Sequence, residues 1–224
     1  MGRHFRLVIV LAGMLLARGA FADDLEALMR ECAPTVHPAT LSQIIRTESG
    51  GQAFALADAG PAGVPWSVRK GMVRSFFPST KAEAAAIVKS LLDAGHLVSI
   101  GLTQVNNRNL ARLNLSVEDV LDPCTNLKAG AQILVEFYAT ALRRVGGDQQ
   151  KALVAAVSAY ETGDFDAGVA DGYVRQVLGA AGGQVPALKW GRVGGSRPLR
   201  KLTASAPPSA LQAAMAADME VGSF

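Results

Sequence analysis

Apolar residues recur every three or four positions along most of the chain between residues 24 and 178, and this spacing predicts a mainly α-helical domain. The predicted helices are residues 24–32, 38–49, 80–94, 123–142, 151–162 and 168–178, with short helical turns at 108–113 and 117–121. Such helices bury one apolar face in a shared core. We therefore expect a single helical unit, with its apolar stripes turned inward.

Residues 52–79 interrupt the helical pattern and predict a small β element. Phe54 and Leu56 alternate with smaller residues, and residues 64–68 alternate again after Gly60–Pro61. A Gly-Pro pair favours a turn. The stretch therefore predicts a small β-hairpin.

The first residues have the composition of an export signal. A basic segment, M-G-R-H-F-R, precedes an apolar run too short to cross a bilayer comfortably, which takes about 20 residues. Ala20 and Ala22 place small residues at both positions of a cleavage site. We expect residues 1–22 to be a signal peptide, the mature protein to be periplasmic, and no stable membrane span to remain. The small residues disfavour the alternative, an uncleaved anchor.

Removal of this leader changes the charge balance. The whole chain has a formal charge of +3. Arg3, Arg6 and Arg18 lie in the leader, so 19 basic residues and 19 acids remain in the mature chain. A neutral chain gives no support for a nucleic-acid partner, because such binding depends on neutralising phosphates with Lys and Arg.

The composition changes again near Gly182. Residues 23–183 predict one domain, and residues 184–224, rich in Gly, Pro, Ser and Ala, predict a flexible tail. Leu211, Met215 and Met219 recur every fourth residue in this tail. They predict either a short helix that folds on a partner or a transient helix without a role.

Cys32 and Cys124 are the two cysteines of a chain expected to leave the cytoplasm. An even number in an oxidising compartment favours one disulfide, which would tie the end of the first helix to the start of a later one. Neither cysteine has metal-binding neighbours at a useful spacing, so we expect no zinc site. We expect no other cofactor.

Glu48 lies in the last turn of the helix predicted from Pro38, directly before Gly50 and Gly51. The C-terminal end of a helix carries partial negative charge, which disfavours an ionised carboxylate there. Partial burial acts in the same direction, so both effects raise the pKa of Glu48. A carboxylic acid that stays protonated near neutral pH suits general acid catalysis. The alternative is a solvated residue at a frayed helix end.

Three short segments carry candidate chemistry: Glu48–Ser49, Gly101–Gln104 with Asn106, and Ala159–Gly163. Alone, Gly101–Gln104 is compatible with a polar turn and Tyr160 with a half-buried core residue. In this order and spacing they resemble the lytic transglycosylases of the soluble-lysozyme-like (SLT) superfamily, which carry E-S, G-[LI]-[MT]-Q and A-Y-N. The leader, the cysteines and the line S-I-G-L-T-Q-V-N-N-R-N-L narrow the resemblance to the secreted transglycosylases of type IV secretion systems.

The resemblance covers about residues 28–175 and implies a lysozyme-like fold that acts on peptidoglycan. It does not extend to the tail, for which we separately expect type IV secretion system components as partners. It implies that Glu48 is the catalytic acid and base that cleaves the β-1,4 bond between N-acetylmuramic acid (MurNAc) and N-acetylglucosamine (GlcNAc), leaving a 1,6-anhydro end. Ser49 would hold the carboxylate or a sugar group, and Tyr160 would orient Glu48 or line the cleft. Gln104 and Asn106 would bind N-acetyl and hydroxyl groups.

Glu161 departs from the family pattern, which has Asn after the Tyr. It is either a surface variant without consequence or a second carboxylate in the cleft. The second case would raise the pKa of Glu48 by repulsion and permit a lysozyme-like hydrolase, since conventional glycosidases use two carboxylates. Another alternative is a peptidoglycan-binding scaffold without turnover, although such a protein has no use for an acid of raised pKa.

Overall fold

The computed structural model describes residues 24–170 and 172–178, and this part of the chain is mainly helical, as predicted. The helices are α1 (residues 24–32), α2 (Pro38–Ser49), α3 (Trp66–Arg69), α4 (Lys81–Asp93), α5 (Leu110–Leu113), α6 (Val117–Val120), α7 (Pro123–Arg144), α8 (Gln149–Thr162), α9 (Ala167–Ala170) and α10 (Tyr173–Leu178). The predicted leader and the tail, with Leu211, Met215 and Met219, lie outside the described residues.

The β element is a four-stranded antiparallel sheet rather than a lone hairpin. Its strands are β1 (Leu56–Pro61), β2 (Arg74–Phe76), β3 (His96–Ile100) and β4 (Val105–Asn106), in the spatial order β2-β1-β3-β4. Strand β1 pairs with β2 and also with β3. Strand β2 therefore forms one edge of the sheet.

The predicted returning strand at residues 64–68 is wrong. Pro65 caps helix α3 instead, and Trp66 and Val68 are about half exposed. The buried side chain here is Arg69, whose Nε donates to the carbonyl oxygen of Val64 at 2.7 Å. The alternation of large residues therefore reflected a solvent-facing helical turn, and the chain returns to the sheet only at β2.

Two further boundaries differ from the sequence prediction. Strand β3 lies in a stretch where no strand was predicted. The single helix expected at residues 168–178 is divided into α9 and α10, and Gly172 between them has φ of 90°. A left-handed residue cannot continue a right-handed helix, so the chain turns there.

The hydrophobic core has two clusters. The first lies between α1, α2, α7, α8 and α10, and the second lies between the sheet, α4 and α6. Helix α7 contributes to both, with Leu134 in the first and Ile133 in the second. Phe137 and Tyr160 pack against both clusters. The junction between the clusters therefore lies beside Tyr160, close to the candidate site.

A disulfide joins Cys32 to Cys124, as predicted. Cys32 ends α1 and Cys124 lies in the first turn of α7. The bond thus connects two helices of the first core cluster across 92 residues of sequence. Among the described residues, no group of His, Cys, Asp and Glu could hold a metal ion.

Removing this disulfide should lower the free energy of unfolding by roughly 2–5 kcal/mol, because the link restricts the unfolded chain. The Cys32→Ser/Cys124→Ser double variant should unfold at lower denaturant concentration than the parent. Its cleavage rate at low temperature should match that of the parent, since neither sulfur lies in the candidate site. An unchanged denaturation midpoint would contradict a stabilising role.

Within residues 24–170 and 172–178, no helix is long and apolar enough to span a membrane.

Candidate active site

Helix α2 holds Glu48 in its last turn, as the sequence predicts. Nδ1 of His37 accepts a hydrogen bond from the N–H of Ala39 at 3.1 Å and caps the start of the helix. At the other end, Gly50 takes φ of 62°, and its N–H donates to the carbonyl oxygen of Arg46 at 3.2 Å. These two local caps fix where the helix stops and therefore where Glu48 lies.

The Glu48 carboxyl group is tuned by its surroundings. Burial raises the pKa of Glu48 to about 7. The hydroxyl of Tyr173 donates a hydrogen bond to Glu48 Oε1, which favours the ionised form and limits the rise. Burial and the nearby Glu48 charge raise the pKa of Tyr173, so its hydroxyl keeps the proton that it donates. Glu48 can therefore hold or release a proton near neutral pH.

A cavity of about 310 Å³ opens beside Glu48. Its walls come from the end of α2, from β1 and β2, and from the loop at residues 101–104. Of the described residues that line it, Glu48 is the one acid. The lining also includes Gln52, Ala57, Ser75, Phe77 and Gln104.

The two predicted amide side chains lie in different places. Gln104 lines the cavity, and its Nε2 donates to the carbonyl oxygens of Ala55 at 3.0 Å and Gly101 at 2.8 Å. Asn106 lies in β4, where its Oδ1 accepts from the N–H of Arg108 at 3.1 Å and caps the next turn. The structure therefore brings Gln104 to Glu48 but uses Asn106 to shape the chain beyond the cavity.

Ser49 is buried, and its hydroxyl bonds to backbone rather than to the Glu48 carboxylate. Its Oγ lies 3.0 Å from the carbonyl oxygen of Ile45 and 2.8 Å from that of Leu102. It also accepts from the N–H of Gly51 at 3.2 Å. The residue therefore joins the end of α2 to the loop at 101–104.

Tyr160 and Glu161 follow each other at the end of α8 but have different surroundings. The Tyr160 hydroxyl donates to the carbonyl oxygen of Thr103 at 2.8 Å, and burial, together with the Glu48 charge, raises the pKa of Tyr160. Glu161 is exposed, and its charge acts on Tyr173, whose pKa it raises. The raised pKa of Glu48 is caused by burial and not by a second carboxylate.

Asn126 holds the loop at residues 101–104 in place, and none of the sequence motifs predicts this role. Its Oδ1 accepts from the N–H of Thr103 at 2.9 Å and lies 2.8 Å from the Thr103 hydroxyl. Its Nδ2 donates to the carbonyl oxygens of Ile100 at 2.8 Å and Val120 at 2.9 Å. The side chain is fully buried, and one amide thus uses all of its hydrogen-bonding capacity to fix the loop.

Glycine is required where this loop passes Asn126. Gly101 has φ of 80°, and a Cβ there would lie 2.3 Å from Asn126 Nδ2. At Gly130, one turn along α7 from Asn126, a Cβ would lie 2.3 Å from the Thr103 hydroxyl oxygen. Both glycines therefore let loop and helix approach closely enough for the amide to bridge them.

The sequence contains only weak signals for the roles of Asn126 and Tyr173. Asn126, Gly130 and Ile133 lie on one face of α7, and a polar residue on a buried face is the one hint that was available. Tyr173 belongs to no motif, and its contact with Glu48 spans 125 residues.

Residues 27–177 match the sequence profile described as the transglycosylase SLT domain. The matched stretch covers more than half of the chain and contains every residue of the cavity described above. The chain belongs to this family. It is therefore a peptidoglycan lytic transglycosylase, as the resemblance of the three motifs implies.

The chain is also similar to proteins named virB1, one of which is named as a type IV secretion system protein. It is 36% identical over 185 residues to protein virB1 of Agrobacterium fabrum, covering 81% of this chain and 70% of the relative. It is 35% identical over 159 residues to the type IV secretion system protein virB1 of Brucella abortus biovar 1, covering 69% and 62%. No solved structure matches the chain significantly.

Proposed function

We propose that the chain cleaves the β-1,4 bond between MurNAc and GlcNAc and closes a 1,6-anhydro ring on the MurNAc product. The observation that carries this proposal is that Glu48, with a pKa of about 7, is the single acid among the described residues that line the cavity. One group with this pKa can act first as an acid and then as a base at neutral pH.

The reaction needs one proton donor and one proton acceptor. Protonated Glu48 gives its proton to the glycosidic oxygen as the bond from that oxygen to C1 of MurNAc breaks. The carboxylate then takes the proton from the C6 hydroxyl of the same sugar as the C6 oxygen bonds to C1. Glu48 ends the cycle protonated, and no water is consumed.

The neighbouring residues divide into contact and positioning roles. Gln104 lines the cavity and meets the N-acetyl or hydroxyl groups of the sugar. Tyr173 holds Oε1 of Glu48 in one orientation. Ser49 and Tyr160 act through the loop at 101–104, because both bond to its carbonyl oxygens.

A retaining hydrolase is less consistent with this geometry. It requires a second carboxyl group about 5–5.5 Å from the first. Asp58 is an acid on β1, a strand that forms part of the cavity wall, but its side chain is fully buried. Arg74 Nη2 lies 2.6 Å and His96 Nδ1 lies 2.8 Å from its carboxylate oxygens. Burial alone would raise the pKa of Asp58, but the bonds from Arg74, Gly60 and His96 outweigh it and lower the pKa. Asp58 is therefore a paired structural carboxylate.

We infer the cellular setting from the leader and from the relatives. Residues 1–22 would direct export, residues 23–183 would form the catalytic domain in the periplasm, and residues 184–224 would form the tail. Since relatives are named virB1 and one is named as a type IV secretion protein, local opening of peptidoglycan for such a system is the role that we propose. A partner for the tail stays a prediction.

Incubating the purified chain from residue 23 to 224 with peptidoglycan sacculi tests this function. We expect soluble fragments whose ends are 1,6-anhydro-MurNAc by mass spectrometry. Fragments with reducing ends would indicate a muramidase. Binding without any release over a range of pH would indicate a scaffold and would overturn the enzymatic proposal.

Tyr173→Phe should shift the pH dependence of cleavage. The Tyr173 hydroxyl stabilises the Glu48 carboxylate, so its loss should raise the pKa of Glu48 above 7. Because cleavage starts from protonated Glu48, kcat/KM falls as the pH rises through this pKa, and the variant should lose activity at a higher pH than the parent. Tyr138→Phe is the control, since Tyr138 is buried in the first core cluster. If kcat/KM of Tyr173→Phe fell at the same alkaline pH as that of the parent, Tyr173 would not affect the pKa of Glu48.

A further inference from the structure

Large exposed hydrophobic side chains are concentrated in one short segment. The described residues expose six of them, and five lie between residues 66 and 77: Trp66, Val68, Met72, Val73 and Phe77. Scattered exposed hydrophobic residues are normal, whereas a contiguous group often marks a binding surface. This segment follows β1 and includes β2, and its last member, Phe77, reaches the Glu48 cavity.

The exposure of two members of this group is partly explained by contacts with neighbouring residues. The guanidinium of Arg69 lies 5.4 Å from the Trp66 ring centroid. The Met72 side chain lies beside Gly60, where a Cβ would be 3.5 Å from Met72 Cβ. Phe77 is the most exposed of the group at 60%, and it lines the catalytic cavity. Phe77 therefore combines the largest exposure of the group with a place on the cavity lining.

Phe77 directly follows β2 and lines the cavity together with Ser75 of that strand. Arg74 reaches back to Asp58, and Phe76 packs against the second core cluster. Because successive side chains point to opposite faces of a strand, Ser75 faces the other way, towards the cavity, and Phe77, one residue beyond the strand, also lines it. Strand β2 is a sheet edge, so no neighbouring strand of the described sheet lies beyond it.

The surroundings of Phe77 fit a sugar ring. The cavity has a volume of about 310 Å³, which is at the small end of the roughly 300–1,000 Å³ typical of small-molecule sites. It can therefore hold only part of a glycan strand. The rest of the strand has to lie on the surface next to the cavity. A pyranose ring has an apolar C–H face and a polar rim of hydroxyl groups. The aromatic ring of Phe77 matches the apolar face, and Gln104 on the same lining matches the polar rim.

We propose that Phe77 is a stacking platform at the mouth of the Glu48 cavity and binds a hexosamine ring next to the bond that is cleaved. This inference rests on the proposed function, because it assigns one sugar contact of that same cleft. Phe77 carries no group that transfers a proton, so its contribution is to binding. Its loss acts on KM and leaves kcat nearly unchanged.

The test measures kcat and KM on a soluble, uncrosslinked glycan of defined length for Phe77→Ala, Phe77→Tyr and Phe77→Leu. The alanine variant should raise KM roughly 2- to 12-fold with kcat within about twofold, which at 1.4 kcal/mol per tenfold corresponds to the roughly 0.5–1.5 kcal/mol of an aromatic contact. The tyrosine variant should restore KM because it keeps the ring. The leucine variant should not, because it keeps the hydrophobicity without a flat face.

Val169→Ala is the matched control. Val169 is exposed at 51% on α9 and lies outside both the segment and the cavity lining. It should leave KM unchanged, and circular dichroism should show that all variants are folded. If Phe77→Ala left KM unchanged, or if leucine restored it as well as tyrosine, the stacking platform would be refuted while the glycan-cleaving function stood. If the parent cleaved no glycan at all, the proposed function itself would fail.

Discussion

Glu48→Gln is expected to lower the rate of peptidoglycan cleavage by about 10²–10⁴-fold, the range typical for loss of a general acid and base. The amide has nearly the shape of the protonated carboxyl group but transfers no proton in this pH range. Binding to sacculi should remain largely intact, because binding energy is spread over many contacts of the cleft. The expected phenotype is therefore a protein that binds its polymer and does not release fragments.

The measurement is fragment release from sacculi beside a sedimentation assay for binding. Glu118→Gln is a suitable control, because Glu118 is a half-exposed residue of α6 that pairs with Lys89 at 2.5 Å. This variant should cleave at the parental rate. If Glu48→Gln kept more than a few per cent of the parental activity, Glu48 would not be the acid.

The same variant should be more stable than the parent at neutral pH. Burial holds the pKa of Glu48 at about 7 in the folded state against 4.5 in the unfolded chain. Its ionisation therefore opposes folding. This penalty is absent below the pKa of Glu48 in the unfolded chain and is complete above its pKa in the folded state. We expect Glu48→Gln to gain on the order of 2–3 kcal/mol at pH 7, where most of this penalty is present, since one pKa unit corresponds to about 1.36 kcal/mol. The gain should vanish below about pH 4.5.

Asn126→Ala should have the largest effect on stability, with a loss of about 3–5 kcal/mol in the free energy of unfolding. The change leaves the Thr103 N–H and the carbonyl oxygens of Ile100 and Val120 without their partner in a buried site. Each unpaired buried group costs about 1–3 kcal/mol. Activity should also fall below the level expected from the unfolded fraction, because the loop that carries Gln104 loses its support.

Asn109→Ala serves as the comparison for this prediction. Asn109 makes one exposed hydrogen bond, to Arg112 Nε at 2.9 Å, so its removal should change stability by less than about 0.5 kcal/mol. Urea denaturation of both variants gives the two free energies. Equal midpoints for the two variants would show that Asn126 does not hold the loop.

Features set by local sequence were predictable. Pro38 and the Gly50–Gly51 pair determine where α2 begins and ends, so the place of Glu48 in its last turn followed from neighbouring residues. The apolar periodicity likewise gave the helical class. The disulfide was predictable from the number of cysteines and the expected compartment.

Features that depend on distant contacts were not predictable in the same way. The side chains that alternate at residues 64–68 suggest a strand, but Pro65 starts a helical turn and the buried Arg69 holds it. The contact from Tyr173 to Glu48 and the bridge from Asn126 to Thr103 join distant parts of the chain, so no local period reveals them. Gln104 and Asn106 are two residues apart in one motif, yet only Gln104 lies on the cavity lining.

The measurement that tests the central claim most directly is the fate of solvent oxygen during cleavage. Uncrosslinked glycan strands are digested in oxygen-18 water, and the new MurNAc ends are analysed by mass spectrometry. If Glu48, the only acid that lines the cavity within the described part of the chain, acts with the C6 hydroxyl as the acceptor, the ends should be anhydro ends that are lighter by one water than reducing ends and carry no label. Reducing ends with one labelled oxygen each would contradict this, since water would then be the acceptor and a second group would have to activate it.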